Sequence, residues 1–200
     1  MENAANRITL TGTLDCLPVY SHTNHDRKFY RFVLLVDRLS GAIDALPVLA
    51  AEDVLESADL FSGSRIAVTG QLRSFNNRAA EGRRLIVSVY AETLTTTDAP
   101  AQNDAFLEGA ICKPPVYRRT PLGREICDVM LAVPRMYRRT DYIPCILWGR
   151  AAQEAAKLLP GAKLRLSGRL QSRDYIKVLD GVSQTRTAYE LSVTAAEFPE

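Results

Sequence analysis

Phe61-Ser-Gly-Ser-Arg-Ile-Ala-Val-Thr-Gly-Gln-Leu72 and Leu159-Pro-Gly-Ala-Lys-Leu-Arg-Leu-Ser-Gly-Arg-Leu170 are two versions of one pattern, 98 residues apart. In the second version Leu164 and Leu166 point one way while Lys163, Arg165, Ser167 and Arg169 point the other. That period of two belongs to a strand with one buried and one wet face. Gly70 and Gly168 fall on the inward phase, where a missing side chain lets a strongly bent strand close into a small barrel. Upstream the repeat continues at an offset of 97: Tyr30-Arg-Phe-Val-Leu-Leu-Val-Asp-Arg38 matches Cys127-Asp-Val-Met-Leu-Ala-Val-Pro-Arg135, Leu10-Thr-Gly12 matches Leu107-Glu-Gly109, and Leu46-Pro47 matches Ile143-Pro144. One inserted residue explains the change of offset. The final strands, Leu85 to Glu92 and Tyr189 to Glu197, lie about 104 apart, so the second copy has the longer hairpin before its last strand.

The chain is therefore one domain written twice. Each copy reads strand, strand, strand, helix, strand, strand, with the helices expected at Glu52 to Leu60 and Arg150 to Leu159. Five strands with a helix between the third and fourth is the order of the OB-fold, a Greek-key barrel. The expected class is all-β with one short helix per domain: two tandem OB-folds at residues 1–94 and 104–200. Residues 95–103, Thr-Thr-Thr-Asp-Ala-Pro-Ala-Gln-Asn, are polar and small and read as an exposed, flexible linker.

Composition bounds the function. With 46% apolar residues in 200, the chain has material for two cores, and disorder of the whole is excluded. The net charge of +2 hides an asymmetry. Residues 1–103 carry 10 Lys+Arg against 12 Asp+Glu, net −2, and residues 104–200 carry 15 against 11, net +4. No apolar run approaches the ~18 residues that span a bilayer, and Met-Glu-Asn-Ala-Ala-Asn lacks the regions of a signal peptide, so the expected location is cytoplasmic, with no membrane partner. Cys16, Cys112, Cys127 and Cys145 include no pair at metal-ligand spacing, and only His22 and His25 are at hand to help them. Buried free thiols are expected, with no metal and no cofactor. Catalysis is excluded on similar grounds: both histidines lie in one short stretch, and no HxH, CxxC, phosphate-binding Gly-rich loop or Gly-x-Ser-x-Gly is present.

The basic half also carries the aromatics. Tyr-Arg-Arg-Thr occurs as Tyr117 to Thr120 and again as Tyr137 to Thr140, with Tyr142, Trp148 and Tyr175 in the same half. Rings beside guanidinium groups suit flat bases strung on a charged chain, because bases stack while phosphates attract the arginines. Tyrosines and arginines also crowd ordinary strand surfaces, and a fold by itself proves no function. Single-stranded nucleic acid is the partner that fits both features.

In its second copy the sequence resembles the bacterial single-stranded DNA-binding proteins, in a form with two OB-folds on one chain. The match runs through Leu107-Glu-Gly109, Leu131-Ala-Val-Pro-Arg135, Ile146-Leu-Trp-Gly-Arg-Ala-Ala152, Leu159-Pro-Gly161 and Ser167-Gly-Arg-Leu-Gln-Ser-Arg-Asp-Tyr175. The resemblance implies base stacking on Tyr137, Tyr142, Trp148 and Tyr175, with Tyr117 a further candidate that equally packs against Lys113-Pro-Pro115. Trp148 either stacks a base or plugs the end of the barrel. Phosphate contacts fall to Arg118, Arg119, Arg124, Arg138, Arg139, Arg150, Arg169 and Arg173. The function so implied is to bind and protect single-stranded DNA with little sequence preference, in replication, recombination or DNA transfer, with replication or recombination proteins as candidate partners.

The first copy departs from this pattern. Leu39 or Ser40, Ala45 and Ala51 stand where the second has Tyr137, Tyr142 and Trp148, leaving Arg73, Phe75, Arg83 and Arg84 as auxiliary contacts. An assembly role is expected of it, since the family groups four OB-folds, which a homodimer of this chain would supply. Ala196-Glu-Phe-Pro-Glu200 follows the last strand where such proteins continue into a tail with an acidic tip, so the expectation is a form without tail-dependent recruitment. The alternative reading is a primosome-like adaptor whose paired OB-folds act mainly through protein contacts.

Overall fold

Alternation of apolar and polar residues sets the strands, and glycine sets where they bend. The structure, a computed structural model, describes residues 5–77, 84–179 and 182–198. The first copy contains β1 (Asn6–Leu14), β2 (Val19–Asn24), β3 (Arg27–Asp37), β4 (Ile43–Ala51), helix α1 (Glu52–Leu55), β5 (Arg65–Asn77) and β6 (Arg84–Thr96). The second repeats the series as β7 (Gln102–Ile111), β8 (Val116–Arg119), β9 (Glu125–Arg135), β10 (Arg139–Trp148), helix α2 (Gly149–Ala155), β11 (Lys163–Leu179) and β12 (Val182–Glu197). Each copy thus has one short strand more than expected, β2 or β8, laid against β3 or β9. Both helices are shorter than expected. Neither has a side-chain cap, and each ends in a turn before Gly63 or Gly161, both at positive φ.

Each copy closes on itself. β1 pairs with both β3 and β5, β3 with β4, β5 with β6, and a parallel contact at Val48 and Val89 joins β4 to β6. The second copy closes in the same way, with Cys145 and Leu191 at its parallel contact. Two tandem OB-folds result. The closure depends on the two glycines of the repeated pattern: the β5–β6 register shifts at Thr69/Gly70 and the β11–β12 register at Ser167/Gly168. A Cβ on Gly70 would overlap the Tyr90 carbonyl oxygen, and one on Gly168 the Ser192 carbonyl oxygen. Leu10, Leu34, Leu46 and Ile66 fill the first barrel; Leu107, Leu131, Ile143 and Leu166 fill the second.

The barrels are not beads on a string. β1 and β7 run antiparallel with Asn6 opposite Leu107 and Thr11 opposite Gln102, fusing the two into one 12-stranded sheet. This fusion corrects the linker reading at its edges, for β6 continues through Thr96 and β7 begins at Gln102. Only residues 97–101 bridge them, held by Thr97 N–H on the Arg65 carbonyl and Arg65 Nε on the Ala99 carbonyl. Asn103, expected to be exposed, is buried, and its amide brackets Leu170 by donating to the carbonyl at 2.7 Å and accepting the N–H at 2.9 Å. Asn6 does the same to Leu72 in the first barrel. The thiols divide: Cys127 and Cys145 are buried as expected, with burial pushing both thiol pKa values up, whereas Cys16 and Cys112 are exposed.

Candidate single-strand interface

Strand alternation decides which side chains share a face. On β10 the inward residues are Asp141, Ile143, Cys145 and Leu147; Tyr142, Pro144, Ile146 and Trp148 take the other phase. Opposite them on β9 stand Ala132, Met130, Asp128 and Ile126, and Arg118 of β8 lies opposite Ile126. On the other flank β12 sets Ser192 beside Ile146, and β11 presents Arg169, Arg173 and Tyr175 on the same outward phase. Tyr142 is 42% exposed and Trp148 38%. Trp148 does not plug the barrel: its ring lies at the surface and its Nε1 donates to Ser192 Oγ at 3.1 Å. Arg173 lies over the Tyr175 ring, 6.0 Å from its centroid.

Tyr137 stands at the tip of the β9–β10 hairpin and is 88% exposed. It and Arg138 are the central residues of a turn closed by Arg139 N–H on the Met136 carbonyl, and both have positive φ, 60° and 56°. Asn and Gly occupy such a turn at least cost, because L side chains with a full Cβ are disfavoured there. An aromatic and an arginine in that conformation carry backbone strain with no packing to offset it at the tip, a pattern associated with functional positions.

Tyr117 belongs elsewhere. It pairs with Cys127, which is buried on the inward phase, so it sits on the opposite side of β8 from Arg118. Its hydroxyl hydrogen-bonds Glu125, raising the Tyr117 pKa, and the carboxylate in turn accepts from Gln153 of α2 and from Arg119. The same bonds hold the Glu125 carboxyl below the usual carboxylate range, the Tyr117 hydroxyl foremost. Tyr117 is tied to the helix end of the barrel and does not join the row.

The arginines also divide. Arg118 is paired with Asp128 at 2.6 Å, Arg119 with Glu125 at 3.1 Å and Arg173 with Glu190 at 3.2 Å. Arg169 donates to the Asp37 carbonyl of the first barrel. Among the described residues, Arg124, Arg138, Arg139 and Arg150 make no ion pair. An exposed ion pair is worth at most about 1 kcal/mol, so a phosphate can displace the carboxylates, but the four uncommitted cations meet it without competition.

The first barrel carries a ring cluster in which Phe29 and Tyr90 are not singled out by its sequence. His22 stacks on Phe29 with centroids 5.1 Å apart and planes 13° apart; Tyr90 lies 6.3 Å from Phe29. Arg27 lies over Phe29 and Arg73 over Tyr90. These rings largely consume one another's faces: Phe29 is only 8% exposed. Arg73, expected as an auxiliary phosphate contact, is instead bound to Asp141 of the second barrel at 3.2 Å. Phe75 is half exposed, Arg83 lies outside the described residues, and for Arg84 the strand position alone is described. The signal for the cluster was present in the outward phase of the strand holding Tyr90, but rings that cap one another and rings that wait for a ligand look alike in sequence.

Residues 102–199 match the model of the single-strand binding protein family. Over 80 residues the chain is 35% identical to single-stranded DNA-binding protein 2 of Listeria innocua, covering 36% of this chain and 50% of that one. It is 36% identical over the same length to single-stranded DNA-binding protein A of Bacillus subtilis, covering 46% of it. The chain thus spans about half the length of the curated relatives it matches. Almost the whole chain, 98%, superposes on 93% of the wild-type single-stranded DNA binding protein from Thermus aquaticus with a TM-score of 0.79 at 23% identity. That likeness shows the fold.

Proposed function

From the match of residues 102–199 to the single-strand binding protein family model, we propose that this chain is a non-catalytic protein that coats single-stranded DNA, chiefly through its C-terminal barrel at residues 104–200. The observation that carries this reading is the outward row on β10, Tyr142 and Trp148 on alternate positions, with Tyr137 at the strained tip of the same hairpin and Tyr175 on the flank. Each stacked base is worth about 1–3 kcal/mol and every base has a face to stack, so preference among sequences is small. Arg124, Arg138, Arg139 and Arg150 hold phosphates directly; Arg118, Arg169 and Arg173 do so by exchanging a partner they already have.

The N-terminal barrel, residues 1–94, serves assembly and contributes little stacking of its own, in keeping with Ala45 and Ala51 at the places of Tyr142 and Trp148. Two chains associate to give four barrels. Because β1 is already paired with β7 inside one chain, the second copy meets a surface other than that strand edge. The test uses Trp148, the sole tryptophan, as reporter. Titration with poly-dT is expected to quench its fluorescence saturably while a matching duplex does not. Absence of quenching together with absence of a gel shift would replace this reading by that of a scaffold acting through protein contacts.

A further inference from the structure

β5 and β6 extend past the first barrel as a two-stranded arm that lies against the second barrel at Ser74. Ser74 at the base of that arm accepts the Tyr142 N–H on its hydroxyl at 2.6 Å and gives its own N–H to Asp141 at 2.8 Å. The next pairs outward, Phe75 opposite Ile86 and Asn76 opposite Leu85, therefore stand beside the outward face of β10. Between this arm and the β11–β12 hairpin lies a cleft of about 260 Å³. Leu85, Ile86 and Val87 of the first barrel form one wall, Tyr175 stands in the other, and Met130 and Pro144 are among the lining residues from the second barrel.

We propose that this cleft receives one base of the bound single strand, so that the first barrel supplies a wall of the second barrel's binding site. The proposal rests on the stacking reading given above and goes beyond it, since none of Leu85, Ile86, Val87, Met130 or Pro144 belongs to the stacking row. Pro144 is the outward residue directly after Tyr142 on β10, and Met130 is its cross-strand partner, so the cleft continues the row without a break. Its lining is mostly apolar, suited to a base face and unable to read a base edge. Arg173 over the Tyr175 ring and Arg186 opposite Tyr175 put cations at the mouth, where the sugar-phosphate chain would leave. The arm is held against β10 by the Ser74 and Asp141 bonds, so the wall is in place before DNA arrives.

Ile86 tests this, because it lines the cleft from the first barrel and is not one of the side chains packed in either core. Ile86→Ala, which removes the wall, and Ile86→Trp, which fills the slot, are each expected to weaken binding of a labelled dT oligonucleotide by about tenfold, the scale of one stacked base. The salt dependence and the thermal midpoint should stay at the values of the unaltered chain. In that unaltered chain, hydrogen exchange at amides 85–87 is expected to slow when dT is added. Wild-type affinity in both folded variants, or no slowing at 85–87, would overturn the proposal. The stacking reading is judged separately by Tyr137→Ala with Tyr142→Ala: a loss of affinity there beside unchanged Ile86 variants removes the slot alone, and no loss in any variant removes both.

Discussion

The buried carboxylate of Asp44, in the first barrel, accepts the backbone N–H of Ser172, in the second, at 2.8 Å. Asp141 returns the contact to Ser74 of the first barrel at the same distance, so two carboxylates, each wholly excluded from solvent, lock the arms reciprocally. Arg38 pairs with Asp44, and Arg73 and Arg135 with Asp141. Arg38 and Arg135 belong to the same barrel as the carboxylate they pair with, whereas Arg73 and the two serine N–H groups reach it from the other barrel.

Removing either carboxylate should therefore cost more than an ordinary surface change. Asp44→Ala strands the Ser172 N–H and leaves Arg38 without its partner, and is expected to lower stability by about 3 kcal/mol. Urea unfolding followed by circular dichroism measures it. A loss below about 0.5 kcal/mol, the scale of surface substitutions, would show that the carboxylate does not lock the arms.

Gly70 and Gly168 are equivalent in the repeat, and each lies where a Cβ would meet a backbone carbonyl that cannot move aside. Gly70→Ala and Gly168→Ala are each expected to destabilise by about 3 kcal/mol, the upper range for overpacking a close-packed site. Gly41→Ala is a useful contrast: nothing lies within 4 Å of its Cβ position, and its cost comes only from a φ of 83°. Thermal midpoints of the three variants should separate the first two from the third.

These two glycines also mark how far the sequence could be read. Repeat, barrel closure and strand order followed from apolar periodicity and from Gly70 and Gly168, because burial of one strand face leaves a direct trace in composition. Tyr142 and Trp148 were singled out by the resemblance to the single-stranded DNA-binding proteins, and strand alternation on β10 puts both on the outward phase. Asn103 was not: a buried amide that brackets a backbone N–H and carbonyl is chemically the same residue as a solvated one, and only the fold supplies Leu170 beside it. Tyr117 escaped the reading because one residue of phase separates the two sides of β8, and its Tyr-Arg-Arg-Thr word copies that of Tyr137 without copying its place. The crossing of the arms through Ser74 and Ser172 depends on contacts more than 60 residues apart, for which no local pattern exists.

The hairpin tip offers a test in which stability and binding move in opposite directions. Tyr137→Asn with Arg138→Gly gives the turn the residues its positive φ values favour and should stabilise the fold by about 1 kcal/mol. The same double variant removes one stacking ring and one uncommitted cation, and its affinity for a dT oligonucleotide should fall about tenfold or more. Chemical denaturation and fluorescence anisotropy read the two effects independently. Stabilisation with undiminished affinity would take Tyr137 out of the interface.

Salt dependence separates the two kinds of arginine. Removing one cation that meets a phosphate of a single strand lowers the magnitude of the slope of log K against log salt by about 0.7. Arg138→Gln with Arg139→Gln removes two cations that make no ion pair with any described residue, and should reduce that slope by about 1.4 if both meet phosphates. Arg118→Gln frees Asp128 from its partner at 2.6 Å. If Arg118 stays with Asp128 in the complex, the released carboxylate weakens binding through repulsion while the slope changes by much less than about 0.7; if it exchanges onto phosphate, the slope falls by the full step. Anisotropy titrations at several salt concentrations on the unaltered chain and the two variants distinguish cations that wait for the strand from those already spoken for by the fold.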